Sequence, residues 1–187
     1  MAKIEKALQG AILEMSQKEK DKLLLRLVAK DDILIQRLEF ELLEAQSTTE
    51  SRREEIRKNI DRLYSLSTYS SGYLMMDMRE INAQITKHFK ITKDKYGEVE
   101  LPLKLLKECF EKQLKWIEKY TSKSDSLALY VAKRTEILLK KVVKLHPDIQ
   151  FDFYEDLNTL LTYLHQYASA FYAKELKIPK QFEINES

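Results

Sequence analysis

Only three glycines and three prolines occur among the 187 residues. Tight turns rely on glycine for left-handed backbone and on proline for a preset φ, so this chain cannot make the many reversals of a β-sandwich or barrel. The shortage predicts long helices with few, short connections. The expected fold class is all-α, with about eight helices as stacked antiparallel hairpins in a helical bundle or a short α-solenoid. Apolar residues at 44% and charged residues at 33% suit an ordinary core under a charged surface. A chain of this length buries roughly 70% of its unfolded surface.

Helical spacing places the elements. Ile4, Leu8, Ala11, Ile12 and Met15 share a face in residues 3–15. Ser16 and Glu19 form a capping box, which ends helix 1 and starts helix 2 over 17–29. Leu23, Leu24, Leu27 and Val28 are its expected inward residues. Asp31 or Asp32 caps helix 3, over 33–45, whose stripe is Ile33, Ile35, Leu38, Leu42 and Leu43. Helix 4 spans 51–66 on Ile56, Ile60, Leu63 and Tyr64. Helix 5 spans 73–89 on Leu74, Met78, Ile81, Ile85 and Phe89. Pro102 suits the first turn of helix 6, where its missing N–H costs nothing, and that helix reaches Tyr120. Helix 7 covers 127–145 and helix 8 covers 153–176, with a loose tail after Pro179.

The expected organisation is a single helical domain over 1–187. A soft boundary at 67–72, the linker-like STYSSG, would separate a short-helix part (1–66) from a long-helix part (73–178). The first 45 residues, helix, tight turn, helix with leucine-rich seams, resemble HEAT-type α-helical repeat hairpins. That resemblance implies stacked helical hairpins over about a quarter of the chain. No internal repeat recurs at a fixed period.

Several chemistries lack their residues. Di-iron carboxylate bundles need Glu-x-x-His, but Ile85, Val143 and Thr162 stand three before His88, His146 and His165. No two histidines are four apart, as a helical zinc pair requires. Glu41 and Glu44 give half of the Glu-x-x-Glu with Glu-x-x-Asp pattern of helical pyrophosphohydrolases, and no aspartate supplies the other half. The glycines are isolated, so no phosphate loop exists. One cysteine, Cys109, makes neither an internal disulfide nor a cysteine-based zinc site and suits a reducing compartment. No apolar run approaches about 20 residues, the length that spans a bilayer. The opening MAKIEKALQG carries charges within its apolar pattern, unlike an export leader. The expectation is a cytoplasmic, non-enzymatic protein without catalytic residues, metal ligands or cofactor, and with no membrane partner.

Three stretches could carry binding. Lys144-Leu145-His146-Pro147-Asp148 resembles the Lys-Tyr-His-Pro-Asp of J-domain co-chaperones, with Leu145 in place of the tyrosine. The resemblance implies contact of Arg134, Lys140, Lys141, Lys144 and the tripeptide with a chaperone ATPase. The plainer reading is a helix-ending turn, because the residue before proline leaves the helical region. Net charge is only +2, yet residues 101–150 hold 11 basic against 6 acidic side chains. Lys112, Lys115, Lys119 and Lys123, beside Trp116, with Lys133, Lys140 and Lys144, form a candidate ridge for RNA or another polyanion. Finally, Tyr154, Tyr163, His165, Tyr167 and Tyr172 on helix 8 are candidates for a groove or dimer interface, because tyrosine joins contact area to a wettable hydroxyl. The function expected is protein-protein binding or scaffolding, with another protein or a second copy as partner. The alternatives are polyanion binding, J-like co-chaperone action and an unrecognised hydrolase.

Overall fold

The computed structural model describes residues 4–184 and is all-α, with nine α-helices and no strand among them. No described helix is long and apolar enough to cross a membrane. The chain falls into two compact units, Met1–Gln46 and Ser47–Ser187. They divide where Ala45 and Gln46 both take positive φ. Residues 67–72 lie inside the second unit.

The first unit holds α1 (Lys6–Glu14), α2 (Gln17–Val28) and α3 (Asp32–Leu38). The capping box forms as expected: the Glu19 amide donates to the Ser16 hydroxyl and the Ser16 amide to the Glu19 carboxylate. Asp31 caps α3 by accepting from the amides of Ile33 and Leu34. The inward seams do not form. None of the three helices buries a side chain, and Leu24 and Leu27 are exposed. Helices of seven to twelve residues are too short and too few to enclose a core. Past α3 the chain takes one π-helical turn, Glu39–Leu43. Its extra residue rotates the stripe, so Phe40 is buried while Leu42 and Leu43 face outward.

The second unit holds α4 (Thr49–Ser65), α5 (Ser71–Thr92), α6 (Gly97–Gln113), α7 (Asp125–Val142), α8 (Pro147–Gln166) and α9 (Ala170–Glu175). The α4 seam is buried as its spacing predicts, and so are Leu74, Met78, Ile81 and Ile85 of α5. The centre is α6 rather than the aromatic α8. Eleven α6 residues are buried, and it packs against α4, α5, α7 and α8. Each fully buried aliphatic side chain of this kind contributes about 1.5–3 kcal/mol.

Four boundaries of α6 and α8 depart from the periodicity. Helix α6 begins at Gly97, so Pro102 lies inside it, and it ends at Gln113 before a 3₁₀ turn, Leu114–Trp116. Helix α8 begins at Pro147, directly after α7 and its short turn. It then breaks near Tyr167, because the Ala168 amide is taken by the Ile117 carbonyl (3.0 Å) and the Ser169 hydroxyl by the Leu164 carbonyl (2.9 Å). The segment after Pro179 is tied down as far as it is described. Phe182 is buried and its amide donates to Asn158. Residues 185–187, the end of the expected loose tail, and residues 1–3 lie outside the described residues.

A charged cluster locks α4, α5 and α6 together. Asp94, in the turn between α5 and α6, accepts from Arg53 of α4 (2.9 Å) and from the Gly97 amide (3.0 Å). His88 Nε2 of α5 stands 3.1 Å from the same carboxylate. The side chains of His88, Asp94 and Arg53 are 3%, 5% and 13% exposed, so water contributes little to solvating this group. Burial by itself would raise the Asp94 carboxyl, but the bonds from His88 and the Gly97 amide and the Arg53 charge outweigh it and hold the pKa at about 2. The Arg53 guanidinium also lies over the Tyr96 ring, 5.0 Å from its centroid. Arg57 forms a bidentate pair with Glu100 (2.6 and 2.9 Å). Gly97 leaves room for all of this, since a Cβ there would sit 2.3 Å from Asp94 Oδ2 and 3.2 Å from Arg53 Nε.

Two outcomes follow from this cluster. Alanine is the better helix former by about 1 kcal/mol, yet Gly97→Ala should destabilise the protein. In an Asp94→Ala background, itself destabilised by about 1–3 kcal/mol as His88 and the Gly97 amide lose their acceptor while Arg53 keeps Glu50 (3.0 Å), the same change should become neutral or stabilising. Urea unfolding of the four proteins measures that reversal of sign, and a neutral Gly97→Ala in the parent would disprove the steric constraint. The second outcome concerns acid. The Asp94 pKa is lowered from 3.8 to about 2 on folding, so its contribution is complete above pH 3.8 and is lost as pH falls through about 2. The difference in urea midpoint between parent and Asp94→Ala should shrink across that window.

Candidate functional site

Helices α4 and α5 and the connection that joins them line an open groove of about 660 Å³. Leu63 of α4 and Ile81 of α5 form its floor, and both are buried. At its inner end Asn59 Nδ2 donates to Gln84 Oε1 (2.9 Å) and ties the helices together. At its outer end Leu66 turns to extended backbone and stops α4. The Ser70 hydroxyl then caps α5 by accepting from the Tyr73 amide, and the Ser71 hydroxyl donates to the Lys123 carbonyl, fixing the start of α5.

The walls of this groove join apolar surface to uncompensated charge. Leu66 is 58%, Tyr69 87% and Tyr73 59% exposed. Tyr73, Asp77, Glu80 and Gln84 follow i, i+4, i+7, i+11 spacing and so share one face of α5. Across from them stands Arg62 of α4. Neither Asp77, Glu80 nor Arg62 joins an ion pair among the described residues, whereas Arg57 pairs one turn further in. The groove can hold an apolar group between its tyrosines and a cation against its α5 wall. Sequence reading missed it. The available signal was the α5 face itself, an aromatic residue and two carboxylates at helical spacing beside the inward seam.

The aromatic residues proposed on helix 8 divide into separate groups. The rings of Tyr163 and Tyr167 lie 5.7 and 5.9 Å from Phe110 and close the core over α6. Tyr154 stands beside the exposed Phe151. Tyr172, past the helix break, meets Tyr120 and Phe171, and its hydroxyl donates to Asp125, as does that of Tyr120. Those bonds lower the Asp125 carboxyl and raise both phenols. His165 Nε2 is engaged by the Pro179 carbonyl at 3.1 Å.

The lysines are likewise distributed. Lys112 pairs with Glu108 (2.8 Å) and Lys140 with Glu136 (2.5 Å). Lys115 sits 5.0 Å above the Trp116 ring. Lys119, Lys123, Lys133 and Lys144 are exposed and without an ion pair among the described residues. Lys119 and Lys123 lie beyond the end of α6, so they do not continue its face. His146 caps α8 and Pro147 is its first residue, with Asp148 exposed beside them. The connection before them runs only over Val143–His146. Cys109 is fully buried, which pushes its thiol up to about 12 and makes it a poor nucleophile. The described residues contain no cluster of three or more metal-ligating side chains of the His, Cys, Asp and Glu type.

The chain matches no family model, no curated protein and no solved structure.

Trp116 offers a test of how its ring is used. The indole rests partly buried against the core, and its N–H is buried with no acceptor among the described residues. An unpaired buried donor costs about 1–3 kcal/mol. Trp116→Phe keeps an aromatic ring and removes the donor, so thermal unfolding should show unchanged or raised stability. A clear loss would mean that the N–H finds an acceptor.

Proposed function

We propose that the protein is a non-enzymatic binding module that holds a segment of a partner protein in the α4–α5 groove. The observation that carries this reading is the groove's rim. Leu66, Tyr69 and Tyr73 are exposed together above an apolar floor, where burial by a partner would remove their surface from water. Tyrosine suits such a place, since it offers large area at low conformational cost. The unpaired Asp77 and Glu80 select the occupant: a segment with one apolar anchor for the tyrosines and a lysine or arginine for the carboxylates. A scaffold needs no reacting group at such a surface. We assign it to the cytoplasm, where a single buried cysteine meets no demand for a disulfide.

The test is a photo-crosslinking amino acid placed at Tyr73 in cells, with adducts sequenced by mass spectrometry. The expected adduct is a defined stretch of another protein bearing an apolar residue near a lysine or arginine. A synthetic peptide of that stretch should bind the purified protein, and Leu66→Glu or Asp77→Lys should each weaken it about tenfold or more. Adducts only to a second copy of this chain would replace the partner by a homodimer. Peptide binding indifferent to both substitutions would overturn the groove as the site.

A further inference from the structure

A second depression, of about 830 Å³, lies where α8 breaks and α9 begins. Its floor is apolar: Leu161, Ala173 and Ile178 are buried and Ala170 is partly so. Its rim is basic. Lys174 comes from the last turn of α9, Lys177 from the turn after it, and Lys180 from the bend beyond Pro179. These are all the cationic residues of the last 37 positions, a stretch with twice as many acids. None of those acids lines the depression, and none of the three lysines joins an ion pair among the described residues.

The backbone holds this arrangement against its own preference. Lys177 has φ 53°, a left-handed conformation that glycine adopts freely and a lysine only at a cost. The turn is fixed by the Ile178 amide donating to the Ala173 carbonyl (2.9 Å), which buries Ile178 and brings Pro179 to His165. Glycine is the usual residue at such a helix end. A lysine there keeps a charge on the rim where folding alone favours its removal.

We propose that this depression binds a phosphomonoester carried on an apolar body, with the head group held by Lys174, Lys177 and Lys180 and the body laid on Leu161, Ala173 and Ile178. Three lysines lining one opening supply the charge that a dianionic head group requires, and the buried floor gives the body its contact. The site is separate from the α4–α5 groove and stands whatever occupies that groove.

The experiment titrates the full chain with octyl phosphate, with octyl glucoside as the neutral control, and follows the Ala170 and Ala173 methyl resonances. A parallel arm adds vesicles of phosphatidylcholine with or without phosphatidic acid, to separate a soluble ester from a lipid head group. Saturable shifts with octyl phosphate but not octyl glucoside, or sedimentation only with the phosphatidic acid vesicles, are expected. Lys174→Glu and Lys180→Glu should each weaken binding about tenfold or more, and Lys133→Glu, outside the depression, should not. Lys177→Gly should melt at the same or a higher temperature and still bind more weakly, which separates recognition from folding. Equal response to the neutral detergent, indifference to the charge reversals, or no saturable binding at millimolar ligand and to either vesicle would overturn the proposal.

Discussion

One carboxylate determines how the helices of the second unit meet. Asp94 belongs to the turn between α5 and α6, yet its two oxygens serve α4 through Arg53, α5 through His88 and α6 through the Gly97 amide. A buried charge shared among three partners is tolerable only when every bond is made, and each bond fixes a helix. Arg53 stands near the start of α4 and His88 near the end of α5, so the cluster closes the end of the hairpin away from its own connection. The Asn59–Gln84 bond closes its middle. Among the described residues nothing comparable ties Leu66 to Tyr73. About 13 residues separate Arg53 from Leu66, roughly 20 Å of helix, and over that length the hairpin passes from charge-locked to open. The groove is the unlocked end of a clamp.

The other end of the unit depends on a backbone exchange. The chain leaving α6 through its 3₁₀ turn presents the Ile117 carbonyl, which captures the Ala168 amide and interrupts what would otherwise be one long aromatic helix. Ser169 satisfies a carbonyl at the end of α8, and the chain restarts as α9 at Ala170. Without that break, Ala170 and Lys174 would continue the line of α8 and the depression beside His165 would not exist.

Much of this was legible in the sequence, and what was not has common causes. The seams of α4 and α5 follow from spacing because both helices are long and bury one stripe. The Ser16 capping box follows from chemistry local to four residues. Periodicity failed where a specific hydrogen bond, or a lack of packing partners, overrode it. The break at Tyr167 depends on a carbonyl fifty residues away. Pro102 reads as a helix start, but α6 begins earlier because Asp94 accepts the Gly97 amide. The leucines of α2 read as a seam, and three short helices cannot enclose one. The groove was hidden for another reason: its wall is the side of α5 that flanks the apolar stripe, where sequence analysis expects only solvent.

The scarcity of glycine that made the chain helical also shaped its special positions. A Cβ at Gly10 would meet nothing, and one at Gly72 only the Ser70 hydroxyl at ordinary contact distance, so neither is required by close approach. Gly97 alone occupies a place where any side chain would collide, and that place is the Asp94 cluster. With so few glycines, the left-handed turns fall to other residues: Ala45, Gln46, Lys93 and Lys177. Each costs about 1–2 kcal/mol relative to a relaxed backbone. Ala45 and Gln46 mark the division between the units. Lys93 ends α5 and delivers Asp94 to its three partners. Strain at Lys93 is thus offset by the bonds that Asp94 makes. Lys177 has no such compensation in the fold beyond the burial of Ile178, which a glycine would permit equally well. Its charge is what a glycine would lack, and it lines the same depression as two other lysines.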